Sequence, residues 1–244
     1  MKILKYKYLN GNKYKISLEN NEIILYEDVI VKYGILLKNE LTSSEIDKFL
    51  YENTYYDLYY DALNFIKIRL RSKKEVYEYL RKKMFDDKMI FKVMNKIETE
   101  GYLNDTVFAR SYIHNAMAFK SDGPYKIKNE LEKLEVDSSV IDHELKVFSK
   151  EIMEEKIKKY VDKQVKLNKN KPFYVLKEKI INYLINLGYE RMMIIAYLDT
   201  ISFDDDDIRK QEYDKLYKKL SLKYEGKELE YKIKQKMYAK GFRY

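Results

Sequence analysis

One helical phrase recurs four times in this chain, and that recurrence limits the fold more than any other feature. Taking Phe85, Val136, Tyr189 and Phe242 as anchors, the phrase repeats at a period of about fifty residues. Five residues before the anchors stand Leu80, Leu131, Leu184 and Met237, and nine before stand Val76, Ile127, Ile180 and Ile233. Five, nine and twelve after the first three anchors come Ile90, Met94 and Ile97; Ile141, Leu145 and Phe148; and Ile194, Leu198 and Ile201. Apolar steps of three and four residues mark one face of a helix, so each copy reads as two amphipathic helices around a tight turn. A further helix leads each copy. Such a unit cannot bury its apolar face alone, so neighbouring copies must stack. The expected fold is all-α: an elongated array of tandem three-helix repeats carrying a small N-terminal β-meander.

The expected organisation is a β-meander and short helix over 1–55, three-helix repeats over 56–103, 104–149 and 150–204, and an incomplete repeat over 205–244. Lys2–Tyr8, Lys13–Leu18 and Glu22–Leu25 are short alternating or β-branched stretches separated by Asn10-Gly11-Asn12 and Glu19-Asn20-Asn21, which is turn chemistry. Ser43 or Ser44 is expected to open a short helix to about Leu50, with a separate helix over Tyr56–Leu70. Ser72 with Glu75 three residues on forms a capping box. Gly101 ends the helix that starts near Asp87, and Asn104 or Asp105 caps the next through Phe119. Gly123-Pro124 and Lys171-Pro172 begin helices, since proline suits a first helical position. In the last copy, Ile233 and Met237 are expected to pack back onto Leu198 and Ile201.

Three phrases go beyond periodicity. Arg69-Leu70-Arg71-Ser72-Lys73-Lys74-Glu75-Val76 leads to Leu80, Gly101-Tyr102-Leu103-Asn104-Asp105 leads to Phe108-Ala109, and Gly123-Pro124 leads to Ile127, Glu130 and Leu131. In this order and spacing they resemble the RecX family, bacterial regulators of the recombinase RecA, most strongly over Tyr56 to Phe148. The N-terminal β segment resembles the extension found in members from low-GC Gram-positive bacteria. The family's Lys-Gly before the anchor is replaced by Lys83-Met84 and Leu134-Glu135, but glycine stands at Gly188 and Gly241. Without glycine, a left-handed backbone there costs about 1 kcal/mol. The resemblance implies a monomer that binds the RecA–single-stranded DNA filament and inhibits its ATP hydrolysis, strand exchange and co-protease activity. A freestanding helical-repeat nucleic-acid-binding protein acting without RecA is the alternative.

Charge agrees with a polyanionic partner, the formal net charge being +8. Lys67, Arg69, Arg71, Lys73, Lys74, Arg81, Lys82 and Lys83 form a basic stretch opposed within its span only by Glu75 and Glu78. These, with Lys126 and Lys128 in the third phrase, are the candidate contacts to RecA or DNA, and a solvated face is the competing reading. Tyr77 and Tyr79 cannot both face outward, so at least one packs inward.

Chemistry is not expected. The chain has no cysteine, which excludes disulfides, thiolate catalysis and Cys-ligated zinc. His114 and His143 lie on separate helices. Asp204-Asp205-Asp206-Asp207 reads as a helix cap and an acidic first turn rather than a metal site. No Walker-type loop, nucleophile elbow or HExxH is present. A non-enzymatic protein with no cofactor, metal or small-molecule substrate is expected. Charges run through Met1–Lys7 and the longest apolar run, Met192–Leu198, is too short for a bilayer, so a cytoplasmic protein without membrane contact is expected.

Overall fold

The computed structural model describes residues 1–83 and 86–243, so the first anchor, Phe85, and the Met84 departure lie outside the described residues. The chain divides into two compact units, Met1–Phe108 with Leu134–Val136, and Ala109–Lys133 with Asp137–Tyr244. Among the described residues no helix is long and apolar enough to cross a membrane.

In the first unit, β1 (Ile3–Leu9), β2 (Lys13–Leu18) and β3 (Glu22–Tyr26) form an antiparallel sheet in sequence order. Leu9 pairs with Lys13, and Gly11 and Asn12 take the left-handed backbone that closes the turn between them. A short helix α1 (Glu27–Lys32) and a 3-10 turn at Ile35–Leu37 lead to α2 (Ser43–Ile68). The sheet, α1 and the first half of α2 share a core of Ile16, Leu25, Ile30, Ile35 and Phe49.

The break expected between Leu50 and Tyr56 is absent: α2 is one 26-residue helix, and its cap is Thr42 rather than Ser43 or Ser44. No glycine or proline stands in that interval, and both polar side chains that could compete with the helix are otherwise engaged. The Asn53 carbonyl oxygen accepts the Tyr26 amide at 2.7 Å, and the Thr54 hydroxyl donates to the Leu50 carbonyl at 3.0 Å. The second half of α2 packs on α3 (Lys73–Arg81) and α4 (Asp87–Thr99) around Leu58, Val76, Leu80, Ile90 and Ile97. Ser72 and Glu75 form the expected capping box.

The second unit continues the three-helix pattern. Leading helices α5 (Asp105–Phe119, whose start belongs to the first unit), α8 (Lys150–Leu167) and α11 (Asp206–Leu220) precede α6 (Pro124–Lys133), α9 (Phe173–Asn186) and α12 (Gly226–Ala239). The third helices are short: α7 (Ser138–Glu144), which continues as a 3-10 turn at Leu145–Val147, and α10 (Arg191–Leu198).

The anchor spacing has a backbone cause. The Tyr189 amide donates to the Leu184 carbonyl at 3.0 Å and the Phe242 amide to Met237 at 3.1 Å, closing the helix end over left-handed Gly188 and Gly241. This is the Schellman arrangement, and its six-to-one bond joins these two anchors to the apolar residue five positions before each. Gly101 closes α4 in the same way, with the Tyr102 amide on the Ile97 carbonyl. Glu135 takes the left-handed conformation without being glycine, at φ 57°.

Gly188 also abuts the start of α6. The Gly123 amide donates to the Leu187 carbonyl at 2.5 Å, and a Cβ on Gly123 would sit 2.6 Å from the Gly188 oxygen. The start of α6 and the end of α9 therefore meet backbone to backbone. The last pair corrects one expectation. Ile233 and Met237 pack with Leu216, Leu220, Leu229 and Phe242, whereas Leu198 and Ile201 belong to a separate cluster. The α11–α12 pair instead meets the start of α9, where Arg243 lies 3.8 Å over the Tyr174 ring and Gly241 faces Val175.

Candidate nucleic-acid interface

Most of the basic stretch is neutralised by its own fold. Arg69 reaches Glu75 at 2.5 Å and Arg71 reaches it at 3.3 Å. Arg71 also lies 3.9 Å over the Phe65 ring, which stacks on Tyr79 at 4.1 Å. Burial acts to raise the Glu75 carboxyl, but Arg69, the Ser72 amide and Arg71 outweigh it and hold it below its ordinary value. Arg71 is thus a packing residue of the α2–α3 corner. Lys73 pairs with Glu98, Lys74 with Glu135 at 2.9 Å, and Lys83 with Asp61. Those hydrogen bonds push the Lys74 and Lys83 ammonium groups above their usual range. Sequence distance hid these acids, which come from α2, α4 and the turn after α6. Lys67, Arg81 and Lys82 are exposed and have no carboxylate partner among the described residues.

Both tyrosines of α3 are half-buried: Tyr79 on Phe65, and Tyr77 stacked on Phe91 at 5.6 Å. In the second unit Lys126 pairs with the buried Asp122 and Lys128 with Asp142, each at 2.6 Å. Those carboxylates raise both ammonium groups. Of the ten residues singled out in the sequence, Arg69, Arg71, Lys73, Lys74, Lys83, Lys126 and Lys128 are thus each held by an acid of their own unit.

The Gly101–Asp105 phrase is structural. Leu103 is buried, the Asn104 side chain caps α5 by accepting the Thr106 and Val107 amides, and Asp105 accepts the Lys73 amide at 2.9 Å. The acidic run behaves alike: Asp204 accepts the Asp206 amide, while Asp205 accepts the Phe173 amide at 3.1 Å and Arg209 at 2.9 Å. Asp105 and Asp205 thus do the same work, each opening one leading helix while satisfying the first amides of the preceding repeat's second helix. His114 and His143 are both exposed. Among the described residues, no three His, Asp or Glu side chains gather where a metal ion could be held.

A second basic surface lies among residues that the sequence did not single out. A groove of about 420 Å³ runs between the end of α5, one face of α8 and the end of α9. It is lined by Lys120, Lys156, Lys159 and Lys163 together with Phe119 and Tyr160, and no carboxylate is among its lining residues. The spacing of 156, 159 and 163 marks a helix face, but only the fold brings Phe119 beside it.

Models of the family's three-helix domains match in chain order: "RecX, first three-helix domain" over residues 59–96 and "RecX, second three-helix domain" over 104–145. The regulatory protein RecX of Bacillus cytotoxicus is 31% identical over 219 residues, covering 88% of this chain and 81% of its own length. The regulatory protein RecX of Bacillus cereus strain 03BB102 is 30% identical over 237 residues, covering 95% and 85%. A crystal structure of regulatory protein RecX shares the fold at a TM-score of 0.69 and 21% identity, over 79% of this chain and 96% of that one. The crystal structure of RecX from Lactobacillus salivarius aligns at a TM-score of 0.56 and 27% identity, over 60% and 97%.

Proposed function

This chain belongs to the RecX family of regulatory proteins, and from that we propose that it regulates RecA by binding the RecA–single-stranded DNA filament. The observation that carries the reading is 31% identity to a regulatory RecX over 88% of this chain. Bound along the filament as a monomer in the cytoplasm, it inhibits ATP hydrolysis, strand exchange and co-protease activity, and so restrains homologous recombination, DNA repair and the SOS response. It catalyses nothing itself. Several modest contacts spaced along a repeat array suit a partner that is itself periodic, because linked contacts raise avidity without a deep pocket. An element bridging neighbouring subunits also favours one filament state by differential affinity.

Titration against a labelled single strand, and then against RecA filaments on the same strand, tests this. Tighter binding to the filament together with slowed ATP hydrolysis is expected. Equal affinity for both would indicate a nucleic-acid-binding protein that acts without RecA, and unaffected hydrolysis at saturation would remove the regulatory reading.

A further inference from the structure

We propose that the groove between α5, α8 and α9 is a binding site for single-stranded nucleic acid. In it, phosphates lie along Lys156, Lys159 and Lys163, and a base stacks on Phe119. The inference takes its biological setting from the filament reading, but it rests on the groove alone. Lys159 and Lys163 are exposed, and neither has an ion-pair partner among the described residues. Lys156 is anchored at the groove's edge by donating to the Met117 carbonyl at 3.0 Å. The Lys159 and Lys163 ammonium groups are therefore not spoken for by the fold, unlike those of Lys73, Lys83 or Lys126, and Lys156 carries no carboxylate partner among the described residues. The three lysines span roughly 10 Å of helix axis at about 1.5 Å per residue. Four stacked nucleotides, separated by three steps of about 3.4 Å, cover about the same length.

The aromatic component decides the class of polyanion. Phe119 is 86% exposed at the end of α5, and a lone exposed apolar side chain means nothing by itself. Here it stands at the mouth of a lysine-lined groove beside Tyr160, whose own ring is braced by stacking on Tyr183 at 4.6 Å and 10°. A charged groove that tracks a backbone beside a ring offered to a base is how single strands are held without sequence readout. A duplex keeps its base faces stacked and cannot use the ring. An acidic peptide would satisfy the lysines but leave the ring idle.

The test is anisotropy of a labelled oligo-dT with the full-length protein across a salt series. Wild type should bind with an affinity that falls as salt rises. Lys159→Gln/Lys163→Gln should reduce the log–log salt slope by about 1.4, or about 0.7 for each phosphate contact on a single strand. Phe119→Ala should weaken binding roughly five- to 150-fold with little change in slope. An abasic strand of equal length should bind wild type as weakly as oligo-dT binds Phe119→Ala. All three positions are exposed, and unchanged circular dichroism checks the fold. No binding by wild type, an unchanged slope in the double variant, or poly-glutamate competing as well as oligo-dT would each overturn the site. Because no RecA is present, that failure is separate from failure of the filament reading, in which wild type binds filaments no better than bare strands.

Discussion

At Glu45 three donors converge on one carboxylate: the Lys38 ammonium, and the Thr42 amide and hydroxyl at 2.9 and 3.0 Å. The Lys38 hydrogen bond, followed by those of Thr42, brings its pKa from 4.5 down to about 2. A depressed carboxylate stabilises the fold fully above its unfolded-state pKa, and that contribution is lost as pH falls through the folded-state value. Carbon-detected NMR of the side chain should therefore give a midpoint near 2, and amide protection at the start of α2 should decline between pH 4.5 and about 2. Glu45→Gln should abolish that decline; a midpoint at 4.5 would show the cap to be open in solution. Glycine provides a second contrast. Gly101 and Gly188 share left-handed backbone, but a Cβ meets nothing within 4 Å at Gly101 and runs into the Lys126 backbone at Gly188. Gly101→Ala should cost only the conformational penalty of about 1 kcal/mol. Gly188→Ala adds overpacking and should cost about 2–4 kcal/mol by denaturant unfolding. Equal costs would mean that the joint between repeats yields freely.

For the helices, the repeat phrase separates positions that look alike in composition. Leu131 is fully buried on α6, whereas Lys128 on the same helix makes only a partly exposed pair with Asp142. Leu131→Ala should destabilise by about 2–5 kcal/mol, and Lys128→Ala by less than about 1 kcal/mol. A small loss for Leu131→Ala would mean that the repeat core collapses around the cavity. This periodicity is what made the helices readable: at Tyr189 and Phe242 the offset of five is the Schellman bond between anchor and helix, so one backbone motif wrote itself into the sequence at both. The caps at Ser72 and Asn104 were legible for the same local reason. The interval from Leu50 to Tyr56 was not, because Asn53 is engaged by Tyr26, twenty-seven positions earlier. The destination of Ile233 and Met237 was misread because an amphipathic face states that it needs a partner and does not say which one.

Across the whole molecule, the question is which of the 48 lysines and arginines remain available to a polyanion. Counting cations along the chain overstates the first repeat, since Arg69 and Arg71 share Glu75, and Lys73, Lys74 and Lys83 are held by acids elsewhere in the fold. It also overlooks the α8 groove, which brings Phe119 and Lys120 to lysines some forty positions later. Local charge density was legible; pairing across helices was not. If Lys67, Arg81 and Lys82 touch phosphate on the filament, Lys67→Gln/Arg81→Gln/Lys82→Gln should lower the log–log salt slope of filament binding by about 2, at about 0.7 per contact. Neutralising Lys73 and Lys83 should change it less, because each must first leave a carboxylate, although an exposed pair holds it by no more than about 1 kcal/mol. An unchanged slope in the triple variant, with melting intact, would show that these three charges are only solvated. Filament contact in the first unit would then depend on surfaces other than its basic stretch.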